Sequence, residues 1–302
     1  MLMILSCSII IPQHSDAQAG RSGLSFLKIG ISGRGVSMGD AMSADVSGAA
    51  ATYYNPAGLL RSGDGHASSQ IMVMHKEWIQ DTRMQFLGAQ VALDDDNALG
   101  FSLINTTISD IEIRTRPGGP EGTFSARNYA LGASYARRLS DDLHVGITGK
   151  FLYEKILIDE ASGAAVDLGL QYRTPVEGLT VGAAVANLGS LNDLRNEKTK
   201  LPALVRAGPS YSTSTDGIHS SLVIAADILY IFPDKRARLN FGGELFFQES
   251  VAARAGYQIG SEGRGFSTGL GLRYGIIIVD YAFALLALDL GQTHTISVGL
   301  NL

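Results

Sequence analysis

The sequence predicts an all-β fold, a transmembrane antiparallel barrel of about fourteen strands with a small N-terminal plug, and three observations predict it. From about residue 66 onward, apolar residues alternate with small or polar ones in successive segments. Dyad-period segments of about ten residues, separated by turns, are the pattern of strands with one face on lipid and the other on a lumen. Composition agrees, with 36 glycines and only 18% charged residues, against the usual quarter. Beyond residue 20, nothing approaches the run of about twenty apolar residues that a membrane helix needs. The third observation is an alternation of short and longer connections between the segments.

The N-terminus reads as an export signal over residues 1–19. Leu2 to Ile11 is an apolar core, and Ala17-Gln18-Ala19 is a small–x–small cleavage pattern, so maturation is expected at Gly20. Cys7, the only cysteine, lies inside this stretch. A lipid-acceptor reading of Cys7 competes, but few residues precede it. The mature chain then has no disulfide, thiol nucleophile or cysteine metal site.

Residues 20–62 are rich in Gly and Ala, with weak alternation. Met38 to Ala51 is expected to form a short helix, and Asn55-Pro56-Ala57-Gly58 a turn. We read the segment as a hatch inside or under a barrel formed by residues 63–302. Strands are expected near 66–76, 82–93, 97–108, 123–138, 143–155, 164–172, 179–187, 203–212, 219–230, 237–247, 251–259, 266–273, 277–284 and 293–302. The short connections are Asp94-Asp95-Asp96, Ser140-Asp141-Asp142, Thr174 to Gly178, Gln248-Glu249-Ser250, and Gly275. The longer ones are Ser109 to Gly122, Ile156 to Gly163, Gly189 to Leu201, Ile231 to Arg236 and Leu285 to Gln292. Short periplasmic turns and long outer loops are the habit of outer-membrane barrels.

Parity assigns the two faces. Leu143, Val145, Ile147, Phe151 and Tyr153 point to lipid, opposite His144, Thr148 and Lys150. Tyr153, Tyr172, Tyr257 and Tyr274 fall at segment ends, where interfacial girdles sit. The same parity places Lys150, Asp167, Arg254, Arg273 and Asp280 in the lumen, with Glu244, as a solvated or paired network that stiffens the wall and anchors the plug. A polar conduit or a site for a ligand headgroup is the sharper reading.

No chemistry of catalysis stands out. The six histidines lack metal spacing, and no Ser–His–carboxylate set can be singled out. Gly33-Arg34-Gly35 has neither the preceding strand nor the Gly-Lys-Ser/Thr of a phosphate loop. The net charge of −5 offers no nucleic-acid footprint. No enzyme, metal or cofactor is expected. Asp94–Asp96 is expected to be a tight solvated turn, and Arg114 to Pro120 an irregular exposed loop.

Three blocks carry a family resemblance. Phe26-Leu27-Lys28-Ile29-Gly30, Gly33-Arg34-Gly35-Val36-Ser37-Met38-Gly39-Asp40-Ala41 and Ala50-Ala51-Thr52-Tyr53-Tyr54-Asn55-Pro56-Ala57-Gly58-Leu59 resemble the N-terminal signature of the PorV/PorQ family. That family is related to the FadL-type outer-membrane barrels. Gly163 to Gly169, Asn187-Leu188-Gly189, Asp280-Tyr281-Ala282-Phe283 and Leu290 to His294 are similar as well. The resemblance implies a fourteen-stranded barrel in the outer membrane. Its hatch would carry an Asn-Pro-Ala motif, here Asn55, Pro56 and Ala57, which either folds the plug or gates it. It also implies two functions. FadL-like members pass hydrophobic molecules, so a hydrophobic small molecule and outer-membrane lipid are expected partners. PorV-like members serve type IX protein secretion, so a secretion-machinery protein is the alternative partner. A purely structural barrel is a third reading.

Overall fold

The computed structural model describes residues 22–61, 69–79, 81–194, 198–215, 220–261, 263–287 and 290–302. The expected export signal, Cys7, His14, His66 and His219 lie outside them. Fourteen strands form the wall: β1 Gln70–Glu77, β2 Thr82–Ala92, β3 Asn97–Ile113, β4 Gly122–Ser140, β5 Leu143–Ile156, β6 Asp159–Arg173, β7 Leu179–Leu191, β8 Leu204–Thr215, β9 Ser220–Ile231, β10 Arg236–Phe247, β11 Val251–Ile259, β12 Arg264–Tyr274, β13 Ile277–Leu286 and β14 Gln292–Asn301. Each strand pairs antiparallel with its sequence neighbours. The barrel closes where β1 meets β14, from Gln70 opposite Asn301 to Glu77 opposite His294. Closure leaves no open sheet margin, which an apolar solvent could not hydrogen-bond.

The dyad period decides which side chains face out. In β11, Val251, Ala253, Ala255, Tyr257 and Ile259 are exposed, while Ala252, Arg254, Gly256 and Gln258 are buried. Phe101, Ile147, Phe151, Leu168, Ile224 and Leu270 belong to an apolar exterior. A lysine or arginine there would cost about 2–4 kcal/mol at the bilayer midplane.

Residues 22–61 contribute no strand. They hold two short helices, α1 Gly33–Ser37 and α2 Ala51–Tyr54, and 3-10 turns at Ser25–Lys28, Gly48–Ala50 and Pro56–Leu60. The helix expected over Met38–Ala51 does not form. Gly39 and Asp40 adopt positive φ (64° and 61°), which breaks any helix there. Helices form on either side instead, where Ser32 caps α1 by accepting from the Gly35 amide at 2.9 Å. The turn expected at Asn55–Gly58 is the start of the last 3-10 turn.

The connections also depart from expectation. The short turns occupy one end of the barrel, but several connections at the other end are equally short. Leu157-Ile158 alone joins β5 to β6, with Leu157 at φ 57°. Residues read as outer loop instead extend the strands, so that β3 reaches 17 and β4 19 residues. Above a register shift between Ile108 and Ile111, the β3–β4 hairpin stands clear of its neighbours, since β2 ends opposite Ile108 and β5 opposite Ala126. Only 114–121 and 192–203 remain as longer connections, and they define what we call the loop end.

Candidate functional site: the inner segment and its wall

The lumen is occupied by residues 22–61, which touch every strand of the wall. Two glycine gaps admit the backbone closely. Pro56 lies against Gly146 of β5 and Gly169 of β6, where any Cβ would collide with it. The Met38–Gly39 backbone lies likewise against Gly242 of β10 and Gly256 of β11. Elsewhere Ala49 N–H donates to Gln70 of β1 (2.9 Å), Gln90 of β2 donates to Leu59 O (3.0 Å) and Gly33 N–H donates to Ser297 of β14 (3.0 Å). Thr52 meets Gly100 of β3, Ser43 meets Gly182 of β7, and Gly33 meets Asp280 of β13. The last 3-10 turn packs on β4.

Asn55 is fully buried and shows why the motif needs its residue types. Its Oδ1 accepts from the Ala57 amide (3.2 Å), capping the 3-10 turn. Its Nδ2 donates to Ser43 O within the segment (2.7 Å) and to Leu170 O of β6 (3.0 Å). Pro56 follows at the first position of the turn, where its missing N–H costs nothing. The three residues thus join the inner segment to the β5–β6 wall.

The lumen charges fall into two clusters, and one stands apart. Glu244 (β10) pairs with Arg254 (β11), and Arg254 with Asp280 (β13) at 2.7 Å. Arg34 of α1 joins this row through Glu244 at 2.9 Å and also pairs with Asp45, which Arg61 holds at 3.1 Å. Three cations thus balance three carboxylates between segment and wall. Lys150 and Asp167 pair at 2.5 Å in a separate cluster. There Lys150 donates to Asn187 Oδ1 (2.9 Å), and the Asn187 amide donates to Asp167 Oδ1 (2.8 Å). Arg273 joins neither; it is exposed near the short-turn end of β12, over the Phe246 ring.

Several joining residues escaped the sequence reading. Asp40 pairs with Arg264 of β12 and accepts from the Tyr54 hydroxyl (2.7 Å). Burial favours its neutral form, but the Arg264 and Lys76 charges outweigh that and hold its carboxyl below the usual range. Lys76 of β1 donates to Gly30 O. Asp227 of β9 accepts from the Met42 amide, the Ser43 amide and the Ser43 hydroxyl, all within 2.9 Å. Lys28 pairs with Asp234 at 2.9 Å. Strand parity was the available signal for Lys76, Asp227 and Arg264; their partners in the segment carried none.

The lumen is chemically divided. Toward β1–β5, the segment packs Leu27, Ile31 and Leu59 into one apolar cluster with Met72, Met74, Met84, Phe86, Ile104 and Leu152 of the wall. Toward β8–β13 ion pairs predominate, beside a small apolar contact of Val36 with Ala282 and Ala284. Between these halves the wall has a step. The β7–β8 ladder stops at Ala186 opposite Leu204, while β7 continues to Leu191 paired only with β6. Asn187, at φ 61°, marks the break, and its Nδ2 reaches Pro202 O (3.1 Å) where a β8 backbone would otherwise pair. Gly23 of the inner segment bonds Lys200 O beside it (3.0 Å).

No family model matches the chain, and no curated protein matches its sequence. Solved structures match its fold. The Pseudomonas putida toluene transporter TodX superposes with a TM-score of 0.66 at 14% identity, covering 90% of this chain and 96% of its own. The Ralstonia pickettii toluene transporter TbuX gives 0.60 at 14%, with 90% and 97% covered. A Pseudomonas aeruginosa FadL homologue gives 0.57 at 12%, with 90% and 98% covered. At such identities the likeness establishes the fold, that of a FadL-like fourteen-stranded barrel.

Proposed function

We propose that this chain is a non-enzymatic outer-membrane barrel of the FadL-like superfamily, exported by a cleaved signal, that passes or captures hydrophobic molecules. Residues 20–62 form its hatch and 63–302 its wall. The observation that carries this reading is the β7–β8 step beside the inner segment, a notch in the wall toward the loop end where β7 continues past β8. A hydrophobic molecule needs an apolar surface along its way and an exit that avoids water. The Met- and Phe-lined half of the lumen offers the first, and methionine side chains adapt to irregular guests. The step offers the second. In this reading Asn55–Ala57 gates by holding the hatch to β5 and β6, and the paired charges Lys150–Asp167 and Glu244–Arg254–Asp280 keep the wall rigid around it, with Arg273 at the rim. The toluene transporters of like fold support a hydrophobic small-molecule class.

One observation favours a second reading, in which a PorV/PorQ-type barrel aids type IX protein secretion. The β3–β4 hairpin stands above its neighbours and exposes Arg114 and Arg116, a shape suited to a protein partner. The deciding experiment deletes the gene and measures uptake of aromatic and long-chain probes beside export of secreted proteins. Lost uptake with intact secretion supports passage of hydrophobic molecules; the reverse supports the secretion role; no change in either leaves a structural barrel.

A further inference from the structure

We propose that a single monatomic anion, chloride in the cell's surroundings, binds at the loop end between the inner segment and strands β8–β11, held by Arg206 and Arg238. The small cavity there is lined by Lys28, Asp40, Arg206, Arg238, Asn240 and Gln258, with the Tyr53 and Tyr54 rings behind them. It has room for about one water-sized body.

Three features favour an anion over water. Arg206 is only 3% exposed, and its Nε–H has no acceptor. Its guanidinium rests on the rings of Tyr53 and Tyr54 at 5.7 and 5.2 Å, which orients the group but leaves its Nε–H free. The Arg238 Nε–H, arriving from β10, is likewise buried and unpartnered. Charge adds to this. Three cations line the cavity against one carboxylate, and Asp40 is already bound to Arg264 and Tyr54. Widening the circle to Lys76, Arg264, Asp227 and Asp234 adds two charges of each sign and leaves the excess in place. Buried charge without a counter-charge is costly, and a water molecule supplies none. Asp40 and the unpartnered Asn240 Oδ1 also face the cavity, so like-charge and lone-pair repulsion favour the arginine side for the ion. Cavity size selects the species, because a carboxylate or phosphate exceeds one water's room.

The inference is independent of what the barrel transports, and its test needs no transported molecule. The full mature chain in detergent is melted in chloride, bromide or gluconate at one ionic strength, and the same protein is crystallised in bromide. The expected result is a saturable rise of a few degrees in Tm with either halide over gluconate, as for any ligand bound by the folded state alone. Anomalous density between the two guanidinium groups should accompany it. Arg206→Met should remove the halide dependence; should that variant fail to fold, the half-buried Arg238→Met reads the same loss. Equal melting in all three salts, or an ordered water without bromide density, would overturn the proposal. So would stabilisation by octanoate but not by chloride, which would assign the arginines to the headgroup of an amphiphile.

Discussion

At the scale of single residues, the inner segment is held by groups that have no substitute. Asn55→Ala leaves the buried Ala57 amide without its acceptor and takes a donor from Leu170 O and from Ser43 O, which keeps only the longer bond from Gln171 Nε2 at 3.3 Å. Each unsatisfied buried group costs about 1–3 kcal/mol, so the variant should melt well below the parent in detergent, by calorimetry or intrinsic fluorescence. Gly169→Val places side-chain atoms where Asn55 Oδ1 and Pro56 lie, an overpacking cost of about 1–3 kcal/mol. Gly149→Val, on a strand position with open space beyond the backbone, is the control that should leave Tm nearly unchanged. Asp40 gives a pH signature. Its folded-state pKa is depressed despite burial, by Arg264 and then Lys76. The stability it contributes is therefore present above the unfolded carboxylate value of about 4 and is lost as pH falls through the lower folded value. Tm measured from neutral pH into acid should fall more steeply for the parent than for Asp40→Asn.

At the scale of elements, strands were readable and helices were not. Every strand expected from alternation is present, because the lipid face of a strand must be apolar whatever its neighbours do, and parity is a local property. Strand ends were misjudged where bilayer constraints cease. Above the wall, β3 and β4 keep pairing with residues too polar to mark a strand, such as Glu112 and Thr123. In the inner segment no helix exceeds one or two turns, too short to show a period or to be stable alone. Tertiary contacts fix them, so the expected Met38–Ala51 helix had only composition behind it. The lumen charges of β5, β6, β10, β11 and β13 were legible by parity. Their partners Arg34, Asp45 and Asn187 were not, since pairing across such sequence distances has no local signature. Because the β3–β4 hairpin stands free, deleting residues 110–121 with a short replacement turn should leave the Tm and heat-modified gel mobility of the barrel within error of the parent. A collapse of both would show that the hairpin supports the wall.

At the scale of the whole molecule, the lumen is filled by a segment bonded around its entire circumference. In planar bilayers the intact protein should pass little ionic current, while a chain lacking residues 22–61 should either conduct in large steps or fail to insert. Small, equal currents from both would mean that the segment does not close the lumen. The strand closure of β1 on β14 and the ring of contacts around residues 22–61 have a further bearing on how the molecule is made. The segment leaves the ribosome before any strand, yet its seats include Gly33 on Ser297 of the final strand. Such contacts are among the most distant the chain can make, and long-range closure is slow. A segment made ahead of every strand must therefore stay uncommitted until the cylinder around it is complete, so the wall's last closure also seats one of the chain's earlier-made parts.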